Sequence, residues 1–418
     1  VAVDSHHYTT LSGQLQASKF IECYLREADF MANQELARAC AELQALGADW
    51  ALLTSPENVT YVSHYEAPVE YGPLAHVTYG PVVALFGIQE SASLLLANRY
   101  YAAGARQQSS FDQVIGFDIL EFFEPFHNQV ARDNFLTALR QTLRQAGLNR
   151  GKLTLAVEER TLPLAVLRII QEEASQAELI EAGPALAQAR RIKTPREIER
   201  LKYCAEVVNV GHKALRQLTR QAGKSEYELW AGLTQAMHQF VGGKLYIAGE
   251  VVCGPRNQSV SPGGPIDYVT QPGDIAELDI SPRVNGYWAD MANTMVIGAE
   301  PTELQKKFGR AARQSFYAGV SKARPGKRAR DIFAAVSAAY APYGLQLIHY
   351  AGHGIGTTVN EAPWLIPSDD TMLEAGMVIC IETGAYSPEA ASKCEKMMVI
   401  QPSGDPDIFP DFEWGIPL

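Results

Sequence analysis

The chain has 418 residues, 47% of them hydrophobic and 20% charged, with a formal net charge of −11. That length allows two domains with sizeable cores, and the composition is that of an ordinary globular protein. The acidic balance argues against nucleic acid as a partner, since phosphate binding needs a basic face, and no apolar run approaches the ~20 residues that span a bilayer. The first residues, from Val1 to Gln14, show neither the basic nor the apolar region of a secretory signal. Six cysteines (Cys23, Cys40, Cys204, Cys253, Cys380 and Cys394) are scattered without a CxxC pair. They read as buried thiols in a reducing compartment, so the sequons at Asn58 and Asn257 are accidents of composition and a cytoplasmic protein is expected.

Along the chain, residues 30–46 have helical spacing (Leu36, Cys40, Leu43, Leu46) and stop at Gly47. Short β-rich runs follow at Trp50–Leu53, Val82–Phe86 and Leu94–Ala97. A second helix is expected over 127–146, ending at Gly147, and a strand over Lys152–Val157. This alternation predicts an α/β N-terminal domain with a covered sheet. A boundary falls near 180–195. Thr194 caps the next helix, Pro195 suits its first position, and Glu197 completes a capping box. Ser225 with Glu228 and Thr302 with Gln305 mark two further helix starts in the same way. The second half then groups helices (195–241 and 302–342) with strand-like runs at 248–253, 275–281, 287–297, 377–386 and 394–400, the pattern of an α+β domain.

Within that half, Asp279 and Asp290 flank Asn285-Gly286, a strong tight-turn signal. The turn would bring both carboxylates onto neighbouring strands. A buried carboxylate is costly unless it is paired or bound to a cation, although on this segment alone two unrelated surface acids at strand ends are the better explanation. Next comes Tyr350-Ala351-Gly352-His353-Gly354-Ile355-Gly356, whose glycines allow close backbone approach and leave the imidazole open. Its glycine spacing is not that of a dinucleotide site, and no phosphate-binding lysine follows. Finally, Glu382 and Glu395 each lie in or beside an apolar, strand-like run.

The order Asp, Asp, His, Glu, Glu, each in its own context, resembles the pita-bread superfamily of methionine aminopeptidases, prolidases, Xaa-Pro aminopeptidases and creatinases. Thr54-Ser55-Pro56-Glu57-Asn58-Val59-Thr60-Tyr61 and the Arg-Ile-Lys run at the linker are similar to the longer, two-domain members. The resemblance implies a creatinase/prolidase-like N-terminal domain over residues 1–185 and an α+β pita-bread catalytic domain over 186–418. It places Asp279, Asp290, His353, Glu382 and Glu395 on the metal-ligand positions. Such an oxygen-rich set suits two divalent ions, Mn, Fe, Co or Zn. Held ~3.5–4 Å apart, they lower the pKa of a water and polarise a scissile carbonyl, while Glu382 also moves a proton.

Relatives that cleave Xaa-Pro bonds keep two histidines that this chain lacks: Pro262 and Asn360 stand at those positions. His349, four residues before His353, is a candidate replacement, with a packed, hydrogen-bonded histidine as the alternative. Asn360 would hydrogen-bond a substrate oxygen without carrying a proton. Dimeric relatives bring the N-terminal domain to the partner's site, which implies a homodimer here. Tyr65 and Tyr71, with Tyr79 and nearby acids, would then suit a small cationic substrate. Packing of these tyrosines on their own domain is the alternative. The expected activity is a dinuclear metallohydrolase cleaving an amide or C–N bond in a short peptide or, given Pro262 and Asn360, a small non-peptide compound such as an ectoine-like substrate. Metal-dependent lyase action on a small cation such as dimethylsulfoniopropionate, and an inactive binding module, are the alternatives.

Overall fold

The computed structural model describes residues 33–69, 79–90, 92–119, 128–257, 263–410 and 412–416. In the N-terminal domain the strands are β1 (Trp50–Leu53), β2 (Val83–Gly87), β3 (Ser93–Asn98), β4 (Gln113–Phe117), β5 (Leu153–Val157) and β6 (Ala177–Glu181). They form one sheet in the order β4-β3-β2-β1-β5-β6. The β1/β2 and β2/β3 pairs are antiparallel and the others parallel. Successive side chains alternate between two cores. Ala51, Leu53 and Phe86 enter one, with Ala39 and Leu43 of helix Gln34–Ala45. Trp50, Leu52 and Leu85 enter the other, with Phe135 and Leu139 of helix Asn128–Gln145. Helices on both faces explain why the strands read as continuous apolar runs.

The second domain has β7 (Tyr246–Cys253), β8 (Ile275–Val284), β9 (Tyr287–Trp288) and β10 (Met291–Val296) in one antiparallel sheet. A second antiparallel sheet, ordered β12-β11-β13-β14-β15, contains β11 (Gly352–Gly354), β12 (Glu361–Trp364), β13 (Val378–Tyr386), β14 (Ala391–Val399) and β15 (Asp407–Phe409). Helices Pro195–Leu218 and Glu226–Val241 pack Leu201, Val208, Leu229 and Leu233 with Leu278, Ile280 and Met291 of the first sheet. Helices Glu303–Val320 and Ala329–Ala338 pack Phe316 and Ile332 with Ile379 and Ile381 of the second. The Thr294 hydroxyl stitches β10 to β14, donating to the Lys393 carbonyl and accepting from its N–H, both at 2.8 Å. This is the expected α+β arrangement, and it opposes the two sheets that carry the acids.

The three expected capping boxes, at Thr194, Ser225 and Thr302, all form with both reciprocal bonds. Helix Pro56–Ser63 does not follow from periodicity. It holds β-branched Val59, Thr60 and Val62, poor helix formers, and its stability comes from burial of every residue from Asn58 to Ser63. At the linker, helix Gly183–Arg191 packs Ala185, Leu186 and Ala189 into the N-terminal core, so those residues, which straddle the expected 185/186 boundary, share the first domain's packing.

Beyond that helix the chain is tied by buried charge. Arg190 Nε lies 3.3 Å from Glu361 Oε2, and Lys193 Nζ donates to Glu361 Oε1 at 2.5 Å. Arg190 also donates to the Asn58 side-chain carbonyl. Glu35 receives the Thr194 hydroxyl at 2.8 Å, with His64 Nε2 at 3.0 Å and Arg196 at 3.3 Å. Burial alone raises the Glu35 carboxyl, but its His64, Arg196 and Thr194 partners outweigh that and bring it down to about 2. Its carboxylate therefore stabilises the fold above the ordinary glutamate range, and that contribution is lost as pH falls toward about 2. Glu35→Gln should cost on the order of 2 kcal/mol in urea denaturation at pH 7. The deficit should shrink as pH drops below about 4; a deficit that does not change with pH contradicts this assignment.

Candidate metal centre

Asn285 and Gly286 both adopt positive φ, 51° and 84°, and close a two-residue turn between β8 and β9. A side chain at Gly286 would collide with the Thr60 methyl, so glycine is required both for conformation and for space. The chain then runs through Asp290 into β10, whose Ala292 sits opposite Asp279. Ser281 Oγ donates to Asp290 Oδ1 at 2.8 Å and fixes that carboxylate beside the strand that carries Asp279.

On the second sheet, His353 pairs with Cys380, and Glu382 faces Glu395 across β13 and β14. The alternation of a strand puts Cys380 and Glu382 on one face, with Glu395 and Lys393 beside them on β14. Gly352 lets β11 approach this closely, because a Cβ there would fall onto the Cys380 carbonyl oxygen. His353 Nδ1–H donates to the Gly354 carbonyl at 2.9 Å, which leaves Nε2 as the free donor atom. That nitrogen lies 3.5 Å from both Asp290 Oδ2 and Glu395 Oε1. The side chains of Asp279, Asp290 and Glu395 offer ligand atoms within 4.8 Å of one another, and so do those of His353, Cys380 and Glu395. Glu395 is common to both groups.

The electrostatics fit a divalent cation. Burial, then the charges of Asp290 and Glu382, hold the Glu395 carboxyl well above the usual range. Burial also raises Asp290, with Asp279 adding repulsion. Glu382 Oε1 and Glu395 Oε1 are buried without a hydrogen-bond partner, as is Glu277 Oε2 behind them. Burial pushes Glu277 up to about 8 despite the Lys393 ammonium nearby. Orphaned, buried carboxylate oxygens that point into a cluster of like charge are otherwise costly, and bound cations remove both costs. Asp279, Asp290, His353, Glu382 and Glu395 are the residues that would hold them.

One cation already belongs to the protein. Lys393 Nζ pairs with Asp279 Oδ2 and stands 3.4 Å from Glu382 Oε2. Burial would lower this ammonium, but Asp279 and Glu382 outweigh it and hold it well above its ordinary value. Sequence reasoning missed Lys393, Cys380 and Glu277, although each lies two positions from an expected ligand on the same strand. The signal available was period-two counting from Glu395, Glu382 and Asp279. It also missed Tyr350 and Trp364, whose rings flank His353 at 6.0 and 6.3 Å and meet each other at 89°.

The other expected residues fall in different places. His349 Nδ1 is 4.0 Å from Glu382 Oε2, but it donates to the Tyr350 carbonyl at 2.6 Å. Its buried Nε2 has no partner, and burial lowers its pKa, so the ring is neutral. Asn360 is exposed, one residue before the buried Glu361. Tyr65 is 4% exposed and packs in the N-terminal core. Tyr71 and Pro262 lie outside the described residues.

If like-charge repulsion dominates the metal-free centre, Glu395→Gln should melt several degrees above metal-free wild type. The same variant should lose most of the rise in Tm that Mn2+ or Zn2+ gives the wild type. Equal metal-free melting temperatures, with the metal-induced rise retained, would remove Glu395 from the centre.

Both domains resemble known proteins. Residues 36–192 match the creatinase/prolidase N-terminal domain, and residues 199–402 match metallopeptidase family M24. An Xaa-Pro dipeptidase of Pyrococcus furiosus is 28% identical over 256 residues, 60% of this chain and 72% of the relative. A creatinase of Bacillus sp. is 25% identical over 366 residues, 82% of this chain and 80% of the relative. The structure of an X-Pro aminopeptidase from Thermotoga maritima superposes with a TM-score of 0.74 at 21% identity, covering 91% of this chain and 98% of that one. The chain therefore belongs to the pita-bread superfamily of prolidases and creatinases, with a creatinase/prolidase N-terminal domain ahead of a family M24 metal-dependent hydrolase domain.

Proposed function

We propose that this protein is a dinuclear-metal-dependent hydrolase that cleaves an amide or related C–N bond in a small substrate. The observation that carries the reading is that Glu395 gathers ligand atoms of Asp279 and Asp290 on one side and of His353 on the other, stands opposite Glu382 in the sheet, and shares with Glu382 a buried, unpartnered carboxylate oxygen. Two divalent ions held there would supply Lewis acidity, lowering the pKa of a water and polarising a carbonyl. Glu382, through its unpartnered Oε1, takes the proton from the attacking water and delivers it to the leaving nitrogen. Lys393 fixes Asp279 and Glu382 relative to each other, so Glu382 cannot swing away. With Nδ1 committed to a carbonyl, His349 supports Glu382 from the side as a neutral ring.

Asn360 is assigned to a substrate oxygen, which it can hold without moving a proton. Its exposure leaves it free to do so. Tyr350 and Trp364 supply an aromatic wall next to His353, where the burial of Tyr65 removes that ring from the monomer's surface. A small non-peptide or modified amino-acid substrate, ectoine-like in size, fits the absence of the two peptidase histidines. The lyase reading is less well supported: two residues after Asp279 stands Ser281 rather than another acid, and its hydroxyl is given to Asp290. An inactive module would have no reason to keep five converging ligands. Among the described residues no helix is long and apolar enough to cross a membrane, and five cysteines are unpaired. The thiols support a cytoplasmic setting, while the homodimer rests on resemblance to dimeric relatives alone.

The test is a panel of Xaa-Pro dipeptides, creatine, ectoine and dimethylsulfoniopropionate on Mn2+-loaded protein. Hydrolysis of a small non-proline substrate is expected to exceed Xaa-Pro cleavage, and Glu382→Gln should lower kcat by about 10² or more. Efficient Xaa-Pro cleavage would overturn the substrate assignment, and an undiminished Glu382→Gln rate would remove Glu382 from proton transfer.

A further inference from the structure

The two groups that share Glu395 are chemically unlike. Asp279, Asp290 and Glu395 offer only oxygen, whereas His353, Cys380 and Glu395 offer nitrogen, sulfur and oxygen within 4.8 Å of one another. Cys380 is fully buried and stands directly opposite His353 in the sheet, on the face of β13 that also carries Glu382. Its sulfur donates a weak hydrogen bond to the Asp290 carbonyl at 3.6 Å, which places it at the Asp290 end of the cluster. A second feature points to the same spot. Glu395 Oε1, in a residue 2% exposed, has no hydrogen-bond partner and lies 3.5 Å from His353 Nε2.

We infer that Cys380 is a further metal ligand beside the five named above, so that the centre has one sulfur-containing position, around His353, Cys380 and Glu395, and one all-oxygen position, around Asp279, Asp290 and Glu395. The inference rests on the metal-centre reading above. Thiolate and imidazole select a borderline-soft ion such as Zn2+ or Co2+, while carboxylates alone suit a harder ion such as Mn2+. The thiol proton passes to solvent as the divalent ion enters, in the usual exchange between protons and metal at a cysteine ligand. Lys393 sits at the other end, against Asp279 and Glu382, and adds positive charge only to the oxygen side.

The experiment uses the full chain loaded with Co2+ and compares it with Cys380→Ser and Cys380→Thr, two small variants of which at least one should fold by circular dichroism. The expected result is an intense near-ultraviolet sulfur-to-cobalt charge-transfer absorption in the wild type that both variants lose. Competition with a chromophoric chelator should show zinc affinity falling at least tenfold in the variants, with Mn2+ affinity changed less than twofold. A wild type that binds cobalt without the charge-transfer band, or a band that survives in the variants, overturns the inference and leaves the metal centre standing. A wild type that binds neither cobalt nor zinc overturns the metal centre together with it.

Discussion

Mutual repulsion among buried carboxylates is the constraint around which the catalytic domain is arranged. Asp279 and Asp290 come from one sheet and the turn that enters its edge strand, Glu382 and Glu395 come from the other, and the burial of Asp290, Glu382 and Glu395 removes the water that would otherwise screen them. Lys393 answers part of that charge. Its single positive charge against four carboxylates leaves room for further cations, and the orphaned oxygens of Glu382 and Glu395 show where they are needed. The strands can hold this arrangement because apolar helix pairs grip their outer faces and the Thr294–Lys393 seam holds the sheets together.

The N-terminal domain contributes to the same site at a distance. Arg190 and Lys193 at the linker both pair with Glu361, the residue after Asn360 and the start of the strand that runs beside His353. Glu361 also accepts from the Thr358 hydroxyl at 3.1 Å. Breaking one partner of such a buried group strands the others, so the segment from Gly356 to Glu361 is held by charges that the linker supplies. Burial alone would raise the Glu361 carboxyl; Lys193 and Arg190 bring it below the ordinary range, which marks the pairing as favourable.

Much of this was legible in the residues. The turn at Asn285-Gly286, the three capping boxes and both fold classes follow from local chemistry and spacing, whereas the five expected metal ligands came from the family resemblance. What was not legible depends on side chains meeting across strands. Nothing local in the sequence marks Lys393, because its burial depends on pairing with Asp279 and Glu382 from other strands. Cys380 looked like an ordinary core thiol until the pairing with His353 set its neighbours. For Tyr65 the sequence left a substrate role and packing on its own domain both open, and the structure shows packing, with the ring in the N-terminal core just beyond helix Pro56–Ser63. His349 was expected either to replace a missing histidine or to be packed and hydrogen-bonded; it is buried, with Nδ1 bonded to the Tyr350 carbonyl and 4.0 Å from Glu382.

The account stands or falls on cations between the two sheets. The most direct measurement is anomalous diffraction from crystals of the protein loaded with Zn2+ or Mn2+, recorded at the metal's absorption edge. Two peaks are predicted, about 3.5–4 Å apart, each within ligating distance of Glu395, with His353 Nε2 on one of them. No peak between Glu382 and Glu395, with Lys393 still bridging Asp279 and Glu382 in metal-soaked crystals, would contradict the metal centre itself.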